Sequence, residues 1–225
     1  MTDSTLTTAA EIPKAPNALL ILAHGSATAL TSPHMVRLSQ SLAEVNLANL
    51  RFNFRYRDQG AAFPSSLDQS VKDYQDALSI AMNTYPDLEI WLSGHSYGGR
   101  IASHLLAALC NTGEMATVYR NVMGCIAYAL PIHPAGRPNL ERWQHLFGLT
   151  KPMLFFSGSR DRMASPDLAE TLCSSNPACH WHSVPGADHS FNQTQSTRDP
   201  SQSVYQWVAN RTRDFIAKPP RMTQL

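Results

Sequence analysis

The pentapeptide Gly94-His95-Ser96-Tyr97-Gly98 stands between an apolar run at 88–93 and a helix-patterned run at 100–110. No other feature of the chain constrains its fold so tightly. For a serine hydroxyl to point outward at the junction of a strand and a helix, its backbone must occupy a strained turn. Strand and helix approach closely there only if the residues two positions to either side carry almost no side chain. Gly94 and Gly98 meet that need, so a strand-turn-helix unit is expected with a nucleophilic Ser96 at its tip.

A nucleophile on such a turn works with an acid and a base that follow it in that order. Asp161 lies in Ser157-Gly158-Ser159-Arg160-Asp161, directly after the apolar run 152–156. His189 lies in Gly186-Ala187-Asp188-His189-Ser190, just past a second strand candidate at 180–184. Both would project from the same sheet edge as Ser96. His189 is then the general base for the Ser96 proton, and Asp161 orients the imidazole. Asp188 and Asp167 are rival acids, and His180 and His182 are rival bases that fall inside a strand candidate. Acyl transfer also needs two backbone donors for the developing oxyanion. The Tyr97 amide follows the nucleophile, and the Ser26 amide sits in the turn His24-Gly25-Ser26 after the strand 18–23. A lone glycine-x-serine-x-glycine arises by chance in a chain with 11 glycines. Four features in the required order, each in a loop after a strand candidate, do not arise so easily.

Strand and helix patterns alternate along the chain. Residues 1–16 are expected to be a disordered head. The strand 18–23 leads to a helix capped by Ser32, with Pro33 in its first turn and Met35, Leu38, Leu42 and Val45 on one face. The strand 51–54 precedes a helix capped by Ser65 or Ser66, whose Leu67, Val71, Tyr74, Leu78 and Met82 recur at helical spacing. Later come a buried strand at 125–130, a short helix at 139–147, a helix opened by Ser165-Pro166, and a last helix at 203–217 with Val204, Trp207, Val208 and Phe215 inward. Such alternation predicts a mainly parallel sheet of about six strands with helices on both faces. A single domain is expected over 17–217, followed by a tail at 218–225. Only a short loop separates the strand ending at Leu130 from the next helix, which leaves no room for a large cap domain.

Composition removes several function classes. A chain of 225 residues is long enough for one sizeable core and short for two. A net charge of +1 with 16% charged residues offers no broad field for nucleic acid or an anionic membrane. The first residues lack the order of an export signal, so the expected location is the cytoplasm. Cys110, Cys125, Cys173 and Cys179 show no metal-ligand spacing and are expected to remain reduced.

The segments Leu22-Ala23-His24-Gly25, Arg51-Phe52-Asn53-Phe54-Arg55-Tyr56, Gly94-His95-Ser96-Tyr97-Gly98-Gly99-Arg100, Pro131-Ile132-His133-Pro134, Gly158-Ser159-Arg160-Asp161 and Asp188-His189-Ser190-Phe191 occur in one order. Together they resemble a small α/β-hydrolase family related to the testis-expressed hydrolase-like proteins and to the hydrolase-like domain of a chromatin acetyltransferase complex subunit. The likeness spans about residues 18 to 217 and implies an α/β-hydrolase fold with Ser96, Asp161 and His189 at the family's triad positions. The chain departs from the family at Ser26-Ala27-Thr28-Ala29, where the first loop is usually glycine-rich.

Arg55, Arg57, Arg100, Arg160 and Arg162 also fall near the catalytic edge, and His133 joins them. They are candidate contacts for a substrate carboxylate or phosphate, or else structural residues paired with acids such as Asp58 and Asp73. The expected activity is a serine hydrolase that cleaves an ester or thioester of a small-molecule acyl substrate through an acyl-Ser96 intermediate, with no organic or metal cofactor. A peptidase, acyltransferase or cofactor-free peroxidase uses the same residue types. Serine at position 96 argues against haloalkane-dehalogenase and dienelactone-hydrolase chemistry. The alternative from another class is a catalytically idle interaction module of the same shape.

Overall fold

The structure, a computed structural model, describes residues 6–64, 66–112 and 117–219. In chain order its strands are β1 (Thr8–Glu11), β2 (Leu19–Ala23), β3 (Ala48–Phe52), β4 (Ile90–His95), β5 (Val122–Tyr128), β6 (Met153–Gly158) and β7 (Cys179–Val184). They are joined by helices α1 (Pro33–Glu44), α2 (Arg55–Asp58), α3 (Leu67–Thr84), α4 (Tyr97–Asn111), α5 (Pro166–Ser174) and α6 (Val204–Ala217), and by a 3₁₀ helix (Glu141–Leu146). Among the described residues the seven strands form one sheet in the order β1-β3-β2-β4-β5-β6-β7. Every neighbouring pair is parallel except β1 with β3. No helix among these residues is long and apolar enough to cross a membrane.

The unbroken apolar runs of the central strands follow from burial on both sides. Leu19, Ile21 and Ala23 of β2 face a core completed by α3, α4, α5 and the 3₁₀ helix. Leu20 and Leu22, pointing the other way, pack with Met35, Leu38 and Leu42 of α1 and Val208, Ala209 and Ile216 of α6. The chain leaves β2 for β3 on one side and returns as β4 on the other, so the strand order reverses between β2 and β4. Loops diverge above such a reversal and open a crevice at the carboxyl ends of the strands. Ser96 follows β4 and His24-Gly25-Ser26 follows β2, both at that crevice.

Several expectations change. Residues 8–11 lie in β1 rather than in a disordered head, pairing Thr8 with Phe52 through Glu11 with Asn49. The stretch is too short and too weakly apolar to announce a strand. It is recruited by the otherwise open edge of β3, where the Arg51 guanidinium reaches Glu11 at 3.5 Å, and Leu6 before it is buried. β3 occupies 48–52 rather than 51–54, and Phe54 instead opens α2. Ser66 caps α3 by accepting from the Gln69 N–H, while Ser65, the rest of the head at 1–5 and the tail from 220 lie outside the described residues. Ser32 precedes α1, but its hydroxyl accepts from the Ala29 N–H instead of a helix amide. On α6, Val208 is buried as expected, whereas Val204, Trp207 and Phe215 are half-buried at the core's rim. All four cysteines are free thiols.

One buried hydroxyl ties a helix to the middle of the sheet. The Tyr74 hydroxyl, fully enclosed, accepts from the Ser93 N–H at 2.7 Å and lies 2.6 Å from the Ile21 carbonyl, to which it donates. It thereby bridges β2 and β4 three residues before Ser96. Removing it by Tyr74→Phe leaves the Ser93 amide without its partner in a dry interior. Urea unfolding should show a loss of about 1–3 kcal/mol, and an unchanged midpoint would refute the bridge.

Candidate active site

Ser96 sits between the last residue of β4 and the first of α4, with φ 52° and ψ −114°. A non-glycine residue holds such a conformation only when its surroundings over-determine it. Here the Ser96 N–H donates to the Tyr128 carbonyl at 2.8 Å, and its own carbonyl accepts from the Arg100 N–H at 3.1 Å. The flanking glycines do what the sequence demands of them. A Cβ on Gly94 would lie 2.4 Å from the Gly98 carbonyl carbon, and one on Gly98 would lie 2.3 Å from the Ala23 carbonyl oxygen. Both clashes are with backbone, which has nowhere to move.

Asp161 and His189 converge on this turn. His189 Nε2 lies 2.8 Å from Ser96 Oγ, and His189 Nδ1 lies 2.7 Å from Asp161 Oδ2. A carboxylate only accepts, so Nδ1 carries the proton and Nε2 offers its lone pair to the serine hydroxyl. The Asp161 side chain is fully enclosed while that of His189 is 26% exposed, which leaves the imidazole open to the crevice. Asp161 Oδ1 accepts from the Met163 N–H at 2.8 Å, which fixes the carboxylate plane. The His189 loop is drawn in by the Arg160 N–H, which donates to the Ala187 carbonyl at 2.9 Å. The rivals serve elsewhere. Asp188 accepts from the Ser190 and Asn192 amides, which hold it below the usual carboxylate range, and Asp167 is exposed on α5. His180 and His182 lie in β7.

The turn after β2 meets the nucleophile: a Cβ on Gly25 would sit 3.7 Å from Ser96 Cβ. The turn is closed by the Thr28 N–H donating to the Gly25 carbonyl at 3.1 Å. The Tyr56 hydroxyl donates to the Ser26 carbonyl at 2.7 Å and steadies it further. His24 braces the same turn, donating from Nδ1 to the Gly25 carbonyl at 2.7 Å and accepting at Nε2 from the Phe54 N–H at 3.2 Å. His95 is likewise a brace, with Nε2 donating to the His189 carbonyl at 3.2 Å. Gly25, Ser26, Ser96, Tyr97 and His189 line one cavity of about 370 Å³. The Ser26 and Tyr97 N–H groups at this cavity are engaged by no hydrogen bond among the described residues.

Of the candidate substrate contacts, only Arg100 lines this cavity. Arg55 is locked to Asp73 and Asp76, each at 2.7 Å. Arg57 donates to the Ala61 carbonyl, and Arg160 to the Gly186 carbonyl. His133 is a structural bridge, donating to the Pro134 carbonyl and accepting from the Ser165 N–H. Arg162 is exposed outside the lining. Short loops after the strands turn these side chains back onto their own backbone, which sequence spacing does not disclose. Conversely, Arg142 and His34 line the cavity without having been singled out. His34 follows Pro33 at the start of α1 and packs on His95 with ring centroids 4.6 Å apart.

Comparison with known proteins agrees with this arrangement at the level of the fold. A sequence model described as alpha/beta hydrolase domain matches residues 16–217. Among solved structures, the chain is similar to an alpha-beta serine hydrolase homologue from Coxiella burnetii, with a TM-score of 0.64 at 17% identity over 98% of this chain and 99% of that one. It is similar to Est1E of Butyrivibrio proteoclasticus, bound to ferulic acid, with a TM-score of 0.71 at 15% identity over 95% and 94%. A lidless serine hydrolase from Xanthomonas campestris gives a TM-score of 0.65 at 18% identity over 94% and 86%.

The braced histidines set an acid limit on stability. Burial holds His24 at about 4, well below its ordinary 6.5, and also keeps His95 well below its ordinary value. Below pH 6.5 the unfolded chain therefore binds protons that the folded one refuses. Stability is fully present above 6.5 and falls as pH drops towards 4, with His24 alone accounting for about 3 kcal/mol across that window. Urea unfolding at pH 7.5 and 5.0 should show a smaller acid loss in His24→Gln than in wild type, by roughly 2 kcal/mol. Parallel losses would contradict a neutral His24.

Proposed function

The chain belongs to the alpha/beta hydrolase domain family, and on that premise we propose that it is a serine hydrolase cleaving a carboxylic ester or thioester through an acyl-Ser96 intermediate. The observation that carries this reading is the pair of short contacts running from Ser96 Oγ through His189 to Asp161, at 2.8 and 2.7 Å. In the first step Ser96 Oγ bonds to the substrate carbonyl carbon while its proton passes to His189 Nε2. The bond to the leaving alcohol or thiol then breaks, and the leaving group takes that proton. Water, deprotonated by the same imidazole, next attacks the acyl carbon and releases the acid with Ser96 restored.

Asp161, enclosed and held by the Met163 amide, keeps the imidazole in the tautomer this sequence requires. The Ser26 and Tyr97 N–H groups are the donors for the developing oxyanion, and α4 adds the positive end of its dipole behind Tyr97. The elements that would be too soft for this task are braced: Tyr56 fixes Ser26, and the Tyr97 hydroxyl donates to Ser70 of α3 at 2.9 Å. The finer likeness to testis-expressed hydrolase-like proteins rests on the sequence motifs alone and adds no substrate.

A fluorophosphonate probe should label the wild-type protein and not Ser96→Ala. Against an activated ester such as p-nitrophenyl butyrate, Ser96→Ala should cost on the order of a million-fold in kcat, and Asp161→Asn on the order of ten-thousand-fold. Wild-type protein that neither labels nor turns over the ester would favour a hydrolase-shaped interaction module instead.

A further inference from the structure

Arg100 and Arg142 stand apart from Arg55, Arg57 and Arg160 at this edge. Arg51, Arg55, Arg57, Arg160, Arg211 and Arg213 each meet a carboxylate, a carbonyl or an aromatic face. The two that line the Ser96 cavity meet none, and among the described residues no ion pair or side-chain hydrogen bond engages either guanidinium. Arg100 Nε is fully enclosed with no acceptor. Both residues are half-buried. A guanidinium removed from water without a counter-ion is costly, and a second one beside it adds repulsion.

The pair is also held rigidly. Arg100 lies one helical turn beyond Ser96 on α4, so its side chain leans back towards the cavity. Arg142 lies on the 3₁₀ helix, which docks on α4 through stacked His104 and His145 rings 3.7 Å apart and a 3.0 Å contact between Ser103 Oγ and His145 Nε2. Trp143, next to Arg142, is fully buried and donates from Nε1 to the Ile132 carbonyl at 2.6 Å. The arginines therefore cannot relax apart by moving their backbones. Burial first and then the charge of Arg142 hold Arg100 below the usual guanidinium range; burial, with Arg100 beside His104 and with His104 and Arg100 beside His145, keeps both imidazoles neutral. Pro131 and Met163 add apolar surface to the lining of the same cavity.

We propose that Arg100 and Arg142 form an anion subsite that receives a carboxylate or phosphate on the acyl portion of the substrate, placing its carbonyl at Ser96. The proposal rests on the serine-hydrolase reading for its chemistry, but the subsite is defined by the two guanidinium groups alone. A compact oxyanion bridging them supplies the missing counter-charge and accepts from the guanidinium N–H groups that face the cavity. The chain's overall charge is close to neutral, so this attraction is local and selects by the substrate's end group.

The test has a binding arm and a kinetic arm. On Ser96→Ala protein, isothermal titration with glutarate, inorganic phosphate and neutral glutaramide should show the anions binding and glutaramide not, and the tighter anion assigns the end group. Arg142→Gln or Arg100→Gln in the same background should weaken anion binding about tenfold or more, and Arg142→Lys should retain part of it. On wild type, kcat/KM for the p-nitrophenyl monoester of glutarate should exceed that for p-nitrophenyl butyrate. Arg142→Gln should reduce that ratio chiefly through KM. Arginine-dependent anion binding without fluorophosphonate labelling would keep the subsite and discard the hydrolase. Labelling with no arginine-dependent binding or ester preference would discard the subsite and keep the hydrolase.

Discussion

Main chain pressed against main chain at one turn is the condition on which the molecule rests. α4 begins so close to the end of β2 that no side chain larger than hydrogen fits at position 98, and β4 approaches α4 as tightly at position 94. This contact forces Ser96 into a backbone region that other residues avoid, and that region aims its hydroxyl out of the sheet. It also brings the turn after β2 beside the start of α4, so that one cavity is lined by Ser26, Ser96 and Tyr97 together. The strain is held locally by the Ser96 N–H to Tyr128 and its carbonyl to Arg100. From there the loops after β6 and β7 have only to deliver a carboxylate and an imidazole within reach.

Much of this was legible because it is local. The glycines around Ser96 report a steric need within five residues, and the apolar runs around Leu20, Ile126 and Phe155 report burial on both faces. Asp161 and His189 could be found because each follows a strand directly, and a parallel sheet sends all such loops to one edge. The β1 strand was hidden for the opposite reason. Its pattern is weak on its own, and its stability comes from β3 and from Arg51 meeting Glu11, about forty residues apart in the chain.

The arginines show the same limit in the site itself. Position along the chain placed Arg55, Arg57, Arg100 and Arg160 near the edge, but the direction of a long side chain depends on its available partners. Arg55 turns towards α3 because Asp73, almost wholly enclosed, needs a counter-charge. Arg142 was invisible because its place depends on how the 3₁₀ helix docks on α4, through the stacking of His145 on His104, far from it in sequence, and through the burial of the neighbouring Trp143. Neither fact has a signature in spacing or composition.

Helix α3 contributes no residue to the lining of the cavity, yet three of its residues brace the elements around it. Ser70 takes the Tyr97 hydroxyl, Asp73 takes both the amide and the guanidinium of Arg55, and Tyr74 bridges the strands beneath Ser96. Drift along this helix therefore reaches the reaction through the main chain, without altering any group a ligand meets. In such an architecture the freedom of the pocket to adapt to new molecules is bounded by a spine on the far side of the wall.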